Sequence, residues 1–187
     1  MEVNPIKKTA DIDKIKRYLI KNNKLRDYCL FTVGINVGLR IGDLLKLKIK
    51  DVLEDSYILI EEKTNKRREI KFNDTCKLAI NKYLDSLNGS YSEEDFLFKS
   101  QKGASLDTRS VHKIIKKICA ECNIKGNYGT HTLRKTFAYH LYINNASNPQ
   151  ILPYLMRILN HSSQSITLAY IGLEQEQINN FYDELNL

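Results

Sequence analysis

Apolar residues recur every three or four positions along most of this 187-residue chain, and that spacing gives way to strand character only once, between Tyr57 and Phe72. A period near 3.6 buries one stripe of a helix, whereas a period of two suits a half-buried strand. The expected fold class is therefore mainly α with a small antiparallel β-sheet, an α+β arrangement. With 42% hydrophobic residues, the chain can build a real core, either as one large domain or as two small ones.

The pattern predicts a first helix over 11–22, capped by Asp11, with Ile12, Ile15, Leu19 and Ile20 on one face. A strongly apolar helix follows over 25–37, and Gly38 suits its left-handed end. A third starts almost at once, sending Ile41, Leu44 and Leu45 to the core and leaving Arg40 and Asp43 on another face. Strands over 57–60 and 68–72 flank Lys63-Thr64-Asn65-Lys66-Arg67, a hairpin with a basic tip. Helices are expected over 74–87 and 108–122, separated by a polar loop around Phe96-Leu97-Phe98. Thr130 is the expected cap of a helix with Leu133, Phe137 and Leu141 inside, which leaves His131 and Arg134 together in its first turn. A further helix begins near Asn148-Pro149 and runs through Leu155, Met156 and Leu159, with Pro153 tolerable only close to its start. Ser163 caps a short helix with Ile166, Ala169 and Tyr170 on one face, and an amphipathic tail over 174–187 carries Ile178, Phe181, Tyr182 and Leu185.

Basic residues are spread along the chain and leave a net charge of +7. This favours a polyanion as partner over a membrane, since no apolar run approaches the ~20 residues needed to span a bilayer. Residues 1–10 lack the apolar segment of a secretory signal, so the expected compartment is cytoplasmic. Cys29, Cys76, Cys119 and Cys122 are expected to be buried or half-buried free thiols. Cys119 and Cys122 have the spacing of half a zinc site, but no second close pair accompanies them.

Several residues suit chemistry on a phosphodiester. Two arginines can clamp the non-bridging oxygens bidentately, and Arg40 and Arg134 each fall at a helix start, where free N–H groups also favour an anion. The alternative for each is a solvated or structurally paired arginine. His131 and His161 are candidate proton shuttles. Tyr170 stands nine residues after His161, but a tyrosine with a free pKa of ~10 needs a base or a cationic field before it attacks. Among 11 tyrosines it would otherwise pass for a half-buried core residue. Lys63 or Lys66 on the hairpin tip could protonate a leaving hydroxyl, or only touch backbone phosphates. There is neither the carboxylate spacing of a two-metal nuclease nor a glycine-rich nucleotide loop, so no metal or cofactor is expected.

In combination, these residues resemble the tyrosine recombinase family of phage and transposon integrases. The first family arginine is matched by Arg40 in GLRIGDLLKL, and the hairpin lysine by Lys63 in EEKTNKRREI. The His-x-x-Arg motif is matched by His131 and Arg134 in HTLRKTFAYHL, and the last histidine and the nucleophile by His161 in LNHSS and Tyr170. Lys135 stands where the family often has histidine, Asn160 and Asn65 where it often has glycine, and Lys71 where proline commonly ends the strand. The resemblance implies a single catalytic domain over 1–187, with no room for the family's N-terminal DNA-gripping domain. It also implies metal-independent cutting and rejoining of double-stranded DNA through a 3′-phosphotyrosine. In that scheme Arg40 and Arg134 hold the phosphate, His131 acts as base or phosphate ligand, Lys63 as acid, and His161 as a further phosphate donor, with Asp43 bracing the site. Self-association on DNA would run through the C-terminal helix. The rival readings are a type IB topoisomerase-like relaxing activity and a non-catalytic DNA-binding regulator.

Overall fold

The computed structural model describes residues 3–63 and 65–185. Helices α1 (Thr9–Lys21), α2 (Leu25–Val37) and α3 (Ile41–Leu45) lead through a 3-10 turn (Ile49–Val52) to a hairpin of β1 (Ser56–Ile60) and β2 (Arg67–Lys71). Then come α4 (Asp74–Asp85), α5 (Thr108–Glu121), α6 (Thr130–Asn144), α7 (Ile151–Leu159), α8 (Gln164–Ile171) and α9 (Glu174–Glu184). The result is the mainly helical α+β fold expected from the sequence.

The apolar helix α2 is the axis of the larger core. Cys29, Leu30, Phe31 and Val33 are fully buried, and α1, α4 and α6 all pack on it. Gly38 ends α2 at φ +60°, and a Cβ there would lie 2.1 Å from the Phe137 ring, so only glycine lets this helix end meet α6. A smaller core forms where Ala138 of α6 meets Ile151, Leu155 and Leu159 of α7 and Ile171 at the end of α8. The N-terminal segment ties the two together. The Ile6 N–H donates to Thr136 Oγ1 at 2.9 Å, and Lys7 Nζ donates at 3.0 Å to the carbonyl of Gly172, where α8 ends.

Several local expectations change in the folded chain. Helix α1 starts at Thr9, with Asp11 in its first turn and not at the cap, and Ile20 is exposed beside the buried stripe of Ile12, Ile15 and Leu19. The N-cap of α6 is Gly129 and not Thr130; the Thr132 hydroxyl reaches back to accept the Gly129 N–H at 3.0 Å. Ser163 does cap α8, accepting the Ile166 N–H at 3.2 Å, but the helix turns Thr167 and Ile171 inward and leaves Ile166 exposed. A polar residue can face inward there because the Thr167 hydroxyl donates to the Ser163 carbonyl at 3.2 Å. Pro153 is the third residue of α7, where its missing N–H has no intrahelical partner to lose. In the polar stretch before α5, Leu97 and Phe98 are fully buried.

In the hairpin, Leu59 faces Arg68 and Tyr57 faces Ile70, with Leu59 and Ile70 turned to the core and Ile58 and Ile60 to solvent. All four cysteines are buried free thiols, and burial pushes Cys76 and Cys119 up to about 12, which keeps them unreactive. The apolar residues of α9 and its C-cap do not fold back on the chain: Ile178, Phe181, Tyr182 and, just past the helix, Leu185 are all exposed. Among the described residues no helix is long and apolar enough to cross a membrane.

Candidate active site

The last carbonyls of a helix lack intrahelical partners and carry partial negative charge. At one place the fold brings two such ends together, and Arg134 fills the space between them. Its Nη1 donates at 2.6 Å to the carbonyl of Gly38, at the end of α2, and its Nη2 at 3.1 Å to the carbonyl of Leu159, the last residue of α7. The side chain is thereby held almost wholly out of water, at 4% exposure. Burial first, and then the neighbouring Arg40 and Arg68 cations, pull its pKa down to about 10, against the favourable pull of Tyr170 and Glu61. It therefore remains charged at neutral pH.

Arg40 occupies the N-cap position of α3, and its Nη1 lies 2.7 Å from Oε2 of Glu61, a carboxylate buried at the exit of β1. Arg68, on the facing strand, brings its Nη1 to 3.8 Å from the other oxygen of Glu61 and donates from Nη2 to the Val37 carbonyl at 3.0 Å. Asp43, 2% exposed, accepts the Glu62 N–H at 3.1 Å and so ties the strand exit to α3. Three guanidiniums thus converge on the end of α2 with a buried carboxylate between them. A buried pair of this kind contributes more to geometry than to net stability, because desolvation cancels much of the attraction.

Tyr170 reaches the same place from α8. Its ring meets His161 edge-on, with centroids 5.0 Å apart at 74°, and Lys135 Nζ lies 4.9 Å from its ring centroid. Nδ1 of His161 is 3.1 Å from the Thr167 hydroxyl, which holds the ring on α8. Burial, with Arg134 and Arg40 nearby, pulls the His161 pKa below its ordinary value. His131 is exposed in the first turn of α6, and partial desolvation followed by the Arg134 and Lys135 charges depresses it as well. Both shifts favour the neutral ring, the form able to accept a proton.

Of the six candidate residues, Arg40, Arg134, His161 and Tyr170 come together, and His131 lies at the edge within the field of Arg134. Lys63 stays exposed in the turn after β1, with no hydrogen bond or ion pair among the described residues. The same tip is anchored by Lys66, whose Nζ donates to Asn160 Oδ1 at 2.7 Å, immediately before His161. Asn160 and Asn65, which stand where glycine is common in the resembled family, adopt φ +55° and +52°, the left-handed region that asparagine tolerates best after glycine.

Glu61 and Arg68 escaped the motif reading, although a signal for both exists. Glu61 continues the inward phase of Tyr57 and Leu59, and Arg68 faces Leu59 across the hairpin, so each is a charged residue on the core-facing side.

Known proteins share this scaffold, and similarity of sequence places the chain among the catalytic domains of site-specific tyrosine recombinases. In fold, the chain superposes over its full length on the crystal structure of XerA recombinase, with a TM-score of 0.75, 24% identity and 66% of that chain covered. It also matches XerH recombinase bound to palindromic difH substrate, with a TM-score of 0.71, 21% identity, and 97% of this chain and 53% of that chain covered. In sequence, the phage integrase family matches residues 6–177, and the chain belongs to that family. A probable integrase/recombinase of Bacillus subtilis, YoeC, is 40% identical over 176 residues, which cover 93% of this chain and 92% of YoeC. Tyrosine recombinase XerC of Caldanaerobacter subterraneus subsp. tengcongensis is 32% identical over 157 residues, 83% of this chain but only 43% of that protein. The chain thus spans nearly the whole of the Bacillus relative and less than half of XerC.

Proposed function

We propose that residues 1–187 act as one catalytic domain that cuts and rejoins double-stranded DNA of a phage or other mobile element, in the cytoplasm, through a covalent 3′-phosphotyrosine. The observation that carries this reading is the meeting of Arg134, buried between two helix ends, with Arg40 and the Tyr170–His161 pair. Arg40 and Arg134 hold the non-bridging oxygens of the scissile phosphate, where charge grows in the transition state. The Tyr170 hydroxyl gives its proton to neutral His131, and its oxygen bonds to phosphorus. The bond from phosphorus to the 5′-oxygen breaks, and that oxygen takes a proton from Lys63 on the hairpin tip. His161, protonated once the phosphate anion is bound, donates a further hydrogen bond to it from the ring nitrogen away from Thr167. The phosphotyrosine conserves the energy of the broken bond, so rejoining to a new 5′-hydroxyl needs neither cofactor nor metal.

The test uses end-labelled, nicked duplexes taken from the DNA that flanks the protein's own coding sequence. Covalent protein–DNA adducts resistant to denaturation are expected, with undiminished yield in excess EDTA. Complete loss in EDTA with recovery on adding magnesium would replace the arginine clamp by a metal-dependent nuclease.

In this reading the uncovered apolar residues of α9 dock on a neighbouring protomer once DNA is bound. A stripe containing Phe181 and Tyr182 left open to water on a terminal helix fits an interface better than a free surface. Truncation after Gly172 is expected to spare single-site DNA binding and abolish cooperative assembly. Sedimentation with site DNA decides the matter, and equal cooperativity in the truncated chain would remove α9 from assembly.

A further inference from the structure

A tyrosine hydroxyl is a weak nucleophile until it loses its proton, and a neutral His131 that takes that proton does not by itself make the phenolate stable. The stabilising charge has to come from cations. Lys135 is 4% exposed, although lysine is almost never fully buried without a specific reason. Its Nζ sits over the ring of Tyr170, 4.9 Å from the centroid. It follows Arg134 directly on α6, so two consecutive cations of one helix flank the tyrosine of α8.

We propose that Lys135 is a positioning residue for the reaction, holding the Tyr170 ring in place and favouring its phenolate. The inference rests on Tyr170 being the nucleophile. A neutral phenol presents only the quadrupole of its ring to a cation above it. On ionisation the negative charge spreads from oxygen into the ring carbons, so the same ammonium gains a full charge–charge attraction. With the Lys135 ammonium itself held out of water, that gain goes to the ionised state, the state that attacks phosphorus. The other charged groups facing Tyr170 among the described side chains are Arg134 on α6 and His161 in the turn before α8, with Arg40 and Glu61 behind Arg134. Lys7 holds the Gly172 carbonyl two residues further on. Arg134 is committed to two helix ends and to the phosphate, and His161 meets the ring edge-on rather than over its face. Lys135 is the cation placed on the ring itself.

The experiment compares the intact chain with Lys135→Met and Lys135→Arg, each labelled with 13C at the tyrosine Cζ and titrated by NMR, with the Tyr170 signal assigned from Tyr170→Phe. The same proteins are then assayed for adducts with the nicked duplexes across pH. In Lys135→Met the Tyr170 signal should titrate at higher pH than in the intact chain. Its adduct rate should fall about tenfold at neutral pH and recover as pH is raised, while Lys135→Arg restores most of both. A purely structural role would lower the rate at every pH without moving the titration. An unmoved Tyr170 signal in Lys135→Met overturns the inference whatever the adduct yield. Adducts that persist in Tyr170→Phe overturn the nucleophile assignment instead, and the inference falls with it, so the two failures are told apart by different proteins.

Discussion

Tyr170→Phe is expected to abolish covalent DNA adducts and leave DNA binding nearly unchanged. The substitution removes one oxygen and keeps the ring, so the edge-on contact with His161 at 5.0 Å and the packing of Lys135 over the ring both survive. The proposed phosphate clamp of Arg40 and Arg134 does not pass through the hydroxyl, which is why binding and cleavage should separate. Denaturing electrophoresis of labelled nicked DNA reads the adduct, and a mobility shift under native conditions reads the binding. Adducts persisting at the original level would move the nucleophile to another tyrosine, with the exposed Tyr154 and Tyr182 next to be examined.

The arginine substitutions should divide into two kinds, and the structure says which is which. Arg134→Lys is expected to lower the cleavage rate at least ~10²-fold, the scale of one lost oxyanion donor. It should also destabilise the fold by about 2–3 kcal/mol, since one ammonium cannot span the Gly38 and Leu159 carbonyls that the guanidinium now joins. Arg40 is different. Its side chain is 24% exposed and is anchored on Glu61, which also has Arg68 beside it. Arg40→Lys should therefore lose a comparable factor in cleavage while melting close to the intact chain. Urea denaturation paired with single-turnover adduct formation checks both. A cleavage rate for Arg134→Lys within a few-fold of the intact chain would remove that arginine from the clamp, and an equally large stability loss for Arg40→Lys would show that its role is mainly structural.

The depressed pKa values of His131 and His161 bear on the acid limb of the same assays. Burial and the arginine field keep both rings neutral until the pH falls below their ordinary range. Cleavage that needs one of them as a proton acceptor should accordingly hold at pH 7 and decline only on acidification.

Much of this protein is written in near-neighbour chemistry. The period of the apolar residues, the Ser163 cap, the left-handed Gly38 and the basic hairpin depend on residues within about four positions of one another, and a single sequence displays such relations directly. The nine-residue interval from His161 to Tyr170 belongs to the same class, because one capped turn and two turns of helix bring the two rings together. The face of α8 is where local pattern misled: Ile166 and Ala169 share the spacing of a core stripe, yet α6 and α7 cover the side bearing Thr167 and Ile171. What makes the site a site is non-local. Arg134 bonds to Gly38 across 96 positions, and Lys66 bonds to Asn160 across 94. Neither pairing has a signature in spacing, because what decides it is where two helix ends finish in space and how a buried charge must then be satisfied. The residue types were legible from the sequence; their burial, and with it the electrostatics on which the chemistry depends, was decided only when the helices packed.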